Sequence, residues 1–167
     1  MKTPYSHLLK NATLENATIE LEFDLKFEGE LIALPYIDTQ KAGEDGKWSK
    51  KQELGHLIDS ALNNHQRFIR AQIQVHLEPD GVLRFPGYAQ NDWVQVGEYQ
   101  TRVWGELVRL WKSLNQQILH VMKNTSLEAR EIKCSIGGGE PVTLEFVMVD
   151  YVGHLKHHMA KILEKAE

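Results

Sequence analysis

Hydrophobic positions recur along most of the chain at the spacing of α-helices, separated by short polar or glycine-bearing stretches. Leu54, Leu57, Ile58, Ala61, Leu62, Phe68 and Ile69 fall on one helical face, which predicts a helix over about residues 50–76. Ser49, followed three residues later by Gln52, supplies a capping box at its start. Pro79-Asp80-Gly81 and Phe85-Pro86-Gly87 break the pattern and predict a loop. Tyr99, Val103, Leu107, Leu110, Leu114, Ile118 and Val121 predict a third helix, opened by Asn91 or Asp92 and running to about Lys123. Ile132–Ile136 alternates and ends at Gly137-Gly138-Gly139, as a short strand or extended loop would. Leu144, Val147, Met148, Tyr151, Leu155, Met159 and Ile162 then predict a last helix over about 143–164.

The first third is ambiguous. Ile19, Leu21, Phe23, Leu25 and Phe27 alternate with Glu20, Glu22, Asp24, Lys26 and Glu28, the period of a strand. The same stretch also offers a helical stripe of Ile19, Phe23, Phe27, Leu31 and Leu34, and it is long for a strand. A helix over about 14–34 is the preferred reading, ended by Pro35 and the polar loop that follows. Long amphipathic helices with almost no strand predict an all-α helical bundle. The 167 residues fit a single domain, spanning 1–167.

Composition removes several functions. Lys+Arg 19 against Asp+Glu 23 leaves a net charge of -4, which argues against a protein whose main role is coating nucleic acid, since phosphate binding needs a basic face. No apolar run approaches a membrane span and the N-terminus lacks a signal-peptide core, so the expectation is a cytoplasmic protein without membrane contact. The Asn-x-Ser/Thr matches at Asn11, Asn16 and Asn124 are then chance matches. Cys134 is the sole cysteine, which excludes an intrachain disulfide and a thiolate zinc cage. It is expected to be a buried, unreactive side chain.

Histidine is the unusual count: eight, three of them within residues 154–158. On a helix, positions four apart lie about 40° from each other, so His154 and His158 share an edge of the last helix while His157 turns away. Such a pair can meet one metal, with a third ligand from another helix. His56, His65 and His120 are the candidates. His65 lies on the apolar stripe, where a core histidine is the plainer role, and His120 sits where a helix C-terminus favours its charge. His56 shares a stripe with Asp59, Asn63 and Arg67, opposite the apolar face. Solvated faces are usually rich in Lys and Glu, whereas these residue types orient ligands. Asp59 or Asp150 would suit the fixing of an imidazole tautomer.

Three segments carry a family resemblance: Trp48–Phe68 (WSKKQELGHLIDSALNNHQRF), Phe85–Val94 (FPGYAQNDWV) and Asp150–His158 (DYVGHLKHH). In order and spacing they resemble the DinB-like metalloprotein superfamily. The resemblance implies an up-down-down-up four-helix bundle with a long crossover between helices 2 and 3. It also implies a triad of His56, His154 and His158 holding one divalent metal, zinc or nickel. Three imidazoles with an open position match the pattern of catalytic rather than structural zinc.

Members of that superfamily include S-transferases and an isomerase that use low-molecular-weight thiols, and others assigned as metal-dependent hydrolases. The resemblance thus implies a small-molecule enzyme, a thiol S-transferase or a hydrolase. In the first case Arg67 and Asn63 would suit a thiol's carboxylates; in the second Asp59 would serve as base. Tyr88 and Trp93, on the crossover, are candidates for walls of the substrate pocket, although packing against the bundle end is the simpler role for both. The alternative is a non-catalytic metal-binding bundle acting through dimerisation, as a homodimer, or through another partner.

Overall fold

The computed structural model describes residues 5–9, 11–43, 46–74 and 81–164. After a 3₁₀ turn at Tyr5–Leu8 come α1 (Leu14–Asp24), a 3₁₀ turn (Leu25–Phe27) and α2 (Glu28–Ile32), which together make the first bundle helix. A short α3 (Tyr36–Gln40) leads to α4 (Lys50–Gln74). The crossover carries β1 (Val82–Phe85), α5 (Gln90–Val96) and a 3₁₀ turn at Tyr99–Thr101, then α6 (Trp104–Lys123) follows. The chain closes through α7 (Leu127–Arg130), β2 (Lys133–Ile136), β3 (Val142–Thr143) and α8 (Leu144–Leu163). No helix among the described residues is long and apolar enough to cross a membrane. Residues 75 and 76 of the expected second helix, and the Pro79-Asp80 part of the loop after it, lie outside the described residues.

Side-chain pairs give the helix directions. Leu14 N–H donates to Glu145 Oε1 at 2.9 Å, and Lys156 bridges Glu20 (2.6 Å) and Asp24 (3.2 Å), so α1 and α8 run the same way. Glu53 meets His158 while Phe68 meets Tyr151, so α4 runs against α8. Lys123 pairs with Glu22 and Lys112 with Glu28, which sets α6 against the first helix.

Local chemistry starts the two helices that matter most. Ser49 N–H donates to Gln52 Oε1 at 2.9 Å and Gln52 N–H returns to Ser49 Oγ at 3.2 Å, the reciprocal capping box. Thr143 Oγ1 caps α8 by accepting from Phe146 N–H at 3.1 Å. Every residue expected to face inward on α8 is buried.

The first helix forms as preferred, but only the later part of the expected stripe turns inward: Leu31 is buried and Phe27 and Leu34 pack partly buried on the core. Leu14, Ala17, Leu21, Leu25 and Leu31 are buried, whereas Ile19 and Phe23 are 63% and 54% exposed. Two interleaved apolar sets share this segment, and contact with α6 and α8 selects one of them. Leu62, Val103 and Leu110, also expected inside, are exposed.

The third helix differs more. It does not run unbroken from residue 91: α5 ends at Val96, Ala89 rather than Asn91 or Asp92 holds the N-cap position, and Glu98 takes φ 47°. The cause is Tyr99. A Cβ on Gly55 would lie 2.1 Å from its ring and one on Gly97 2.6 Å away, so the two glycines make the slot that holds the ring and the helix must bend around it. The alternating segment at 132–136 forms a strand, β2, and its partners complete a small sheet that the sequence pattern does not predict. β1 pairs in parallel with β2 (Leu83 opposite Cys134), and β3 adds antiparallel. Phe85-Pro86-Gly87 reads as a loop because its strand partner lies some fifty residues away in sequence. Cys134 is buried at this pairing, and burial pushes its thiol up to about 11.

Candidate metal centre

His56 stands in the second turn of α4, and His154 and His158 stand one turn apart on α8. Because those helices run oppositely, the three rings converge. Ring centroids are 5.0 Å apart for His56 and His154, 4.6 Å for His56 and His158, and 4.5 Å for His154 and His158. One ligand nitrogen from each lies within 4.8 Å of the others, so the triad can hold a metal ion. His56 is fully buried, His158 nearly so, and His154 half-buried.

The donor set fits a divalent cation. His56 Nε2 and His154 Nε2 are 3.0 Å apart. Ligands around one tetrahedral ion with metal–nitrogen bonds of about 2.0–2.1 Å sit roughly 3.3–3.4 Å apart, so the pair needs only a small separation to take an ion between them. His158 Nδ1–H donates to Glu53 Oε2 at 2.5 Å, which leaves Nε2 as the metal-facing atom. Glu53 is itself buried and receives Lys161 at 3.5 Å. Trp48 packs on the rings of His56 and His158, at 4.8 and 6.2 Å between centroids.

Glu53 and Trp48 were not anticipated as site residues. Glu53 precedes His56 by three positions, hence one helical face, and that spacing is the signal that marks it. The carboxylates expected to orient an imidazole do other work. Asp150 Oδ1 accepts the backbone N–H groups of Tyr5 and Ser6. Asp59 Oδ1 accepts the Tyr99 hydroxyl at 2.5 Å, while burial raises its pKa. His157 stays outside the triad, with its ring 5.2 Å from Tyr5. His65 is half-buried and His120 exposed, and neither joins it.

A cavity of about 510 Å³ opens beside the triad, with Tyr5, Asn64, Arg67, Tyr88, Tyr151 and His154 among its walls. Of the expected substrate-binding residues, Arg67 and Tyr88 line it. Burial pushes the Tyr88 hydroxyl up to about 12, countered in part by its hydrogen bond with Ser60. Asn63 and Trp93 do not line it. Asn63 Nδ2 turns back to the Asp59 carbonyl at 2.9 Å, and Asn64, one residue on, faces the cavity instead. Trp93 backs onto Tyr88 at 5.1 Å and is half in solvent. Asp59 is likewise absent from the walls.

Two antiparallel helices that bring three histidines together, with His154 also on the wall of a cavity, define a class: helical bundles with a His₃ cluster able to hold a metal ion. More narrowly, the chain belongs to the DinB superfamily, whose model matches residues 6–162. A protein of Halalkalibacterium halodurans, named by inference a metal-dependent hydrolase, is 23% identical over 131 residues, 78% of this chain and 72% of its own. Among solved structures, YfiT from Bacillus subtilis, described as having an unusual four-helix bundle topology, superposes with TM-score 0.67 at 20% identity. That match covers 95% of this chain and 81% of YfiT. A mycothiol-dependent maleylpyruvate isomerase superposes with TM-score 0.65 at 13% identity, over 95% of this chain but 62% of the isomerase. These two likenesses establish the four-helix bundle fold.

Proposed function

We propose that this protein is a metal-dependent enzyme for small molecules, in which His56, His154 and His158 hold zinc or nickel and a low-molecular-weight thiol supplies the nucleophile. The observation that carries this reading is the three-histidine cluster, one member of which, His154, also walls the cavity of Arg67, Asn64 and Tyr88. A divalent ion so held supplies Lewis acidity, lowering the pKa of a bound thiol or water. The chain's own part is to fix the donors. Glu53 sets the His158 tautomer, Trp48 packs against the rings of His56 and His158, and Arg67 and Tyr88 orient the substrate. Homodimerisation belongs to the proposal too, supported by the exposed apolar Ile19 and Phe23 on α1.

Hydrolysis is the second reading, favoured by the name of the Halalkalibacterium relative. Its base would be Asp59, which must first release Tyr99. Cobalt-substituted protein separates the two. With glutathione, bacillithiol or cysteine, the thiol reading expects a sulfur-to-cobalt charge-transfer band. Its strength should grow as pH rises to the free thiol's own pKa and flatten above it, because binding releases a proton only below that point. Absence of the band with all three thiols, in fully loaded protein, rejects the thiol reading in favour of hydrolysis or a non-catalytic metal bundle.

A further inference from the structure

Arg67 is only 8% exposed, yet no carboxylate among the described residues forms an ion pair with it. Its hydrogen bonds go to neutral oxygens, Nη1 to Asn64 Oδ1 at 3.3 Å and Nη2 to the Pro86 carbonyl at 3.0 Å. A buried guanidinium without a counter-ion is costly, and its planar donor fork matches a carboxylate. Both acidic residues on the same cavity leave it uncompensated: Asp150 is turned to the backbone of Tyr5 and Ser6, and Glu140 is exposed.

The position of the charge along α4 sets a length. Asn64, which holds the guanidinium, itself reaches back to the Ser60 carbonyl at 2.9 Å. The charge therefore sits beside residues 60–64, four to eight positions beyond His56. At 1.5 Å per residue that is roughly 6–12 Å along the helix. Arg67 and His154 wall one continuous cavity, so a single molecule can touch both ends.

We infer that the cavity takes an elongated anion, whose carboxylate docks on Arg67 while its other end meets the histidine triad. The inference rests on the metal-dependent enzyme reading and adds to it a substrate class and a length. A substrate or co-substrate of this kind is a chain several bonds long, too large to be a simple acetate-sized acid.

Calorimetric titration of the metal-loaded protein with malonate, adipate, suberate and their mono-amides tests this. Affinity should climb from malonate to adipate or suberate, and each long mono-amide should bind about 10–100-fold more weakly than its diacid, the loss of a hydrogen bond to a charged group. Arg67→Gln should bring the long diacids down to their mono-amides without loss of metal, and Arg67→Lys should keep part of the preference. Equal affinity across the lengths, equal binding of diacid and mono-amide, or an unchanged preference in Arg67→Gln overturns the inference. Should Arg67→Gln fail to fold, the length series and the amide comparison on the unaltered protein still decide. In metal-free protein adipate and its mono-amide, each with a carboxylate for Arg67, should both outbind the diamide, adipamide. A missing metal or a missing cobalt–thiolate band, the failure of the enzyme reading, is therefore told apart from failure of the anion site.

Discussion

Glu53 decides how one metal ligand presents itself. Its carboxylate holds His158 by Nδ1, fixing which nitrogen faces the other two rings. Glu53→Gln keeps the shape but loses the charge that strengthens the ligand, so metal affinity should fall about 10–100-fold with the fold intact. Competition against a chelator measures this directly. Alanine at His56, His154 or His158 should abolish stoichiometric metal, whereas His157→Ala should keep it, because that ring faces Tyr5 rather than the triad. Metal retained by His154→Ala but lost by His157→Ala contradicts the assignment.

At the scale of elements, two junctions carry stored cost. Glu98 adopts φ 47° where α5 gives way to α6, a backbone state that costs a non-glycine residue about 1–2 kcal/mol. Its side chain is exposed, so Glu98→Gly should raise stability by about 1 kcal/mol or less after the unfolded state's extra freedom is deducted. A branched residue such as valine there should lower it; urea midpoints read both.

The α1–α8 pair holds the second cost. Asp24 is buried, and burial lifts its carboxyl to about 6 against the offsetting pull of Lys156. A carboxyl raised in the fold favours the folded state only when protonated, so its contribution is fully present below about pH 4 and lost as pH rises through about 6. Asp24→Asn should therefore be the more stable protein at pH 7, by on the order of 1–3 kcal/mol. The gap should shrink as pH falls below 6, and a gap unchanged between pH 7 and 4.5 would count against it.

For the whole molecule, metal and core make separable contributions. The triad joins α4 to α8, but both helices are already packed by a continuous apolar core that includes Leu54, Leu57, Leu155 and Met159. Removing metal should leave helix content unchanged in circular dichroism and lower the melting temperature. With metal at a hundred times its Kd the lost stabilisation is about 2.7 kcal/mol, or roughly 5–10 °C for a chain of this size. Unfolding of the metal-free protein at room temperature would instead mark the site as structural, as in zinc fingers.

What the sequence determined by itself was set by local rules. The Ser49–Gln52 cap, the inward face of α8 and the phase relation of His154 to His158 need only one helix, and the pattern of residues fixed each of them. The family segments then singled out His56 from His65 and His120, which periodicity alone had left open. What only the tertiary structure decided depends on groups distant in sequence. Ile19 and Phe23 were exposed because α6 and α8 chose the other of two apolar stripes on α1. The third helix broke because Tyr99 needed a slot between Gly55 and Gly97. Asp59 and Asp150 were drawn off by Tyr99 and by the chain's first turn, leaving Glu53 to orient His158. Asn64 took the cavity position expected of Asn63 because the two differ by 100° around α4, and only the neighbouring crossover defines which side holds the cavity. A single helix fixes which residues share its face, but the partner packed on that face decides what they do.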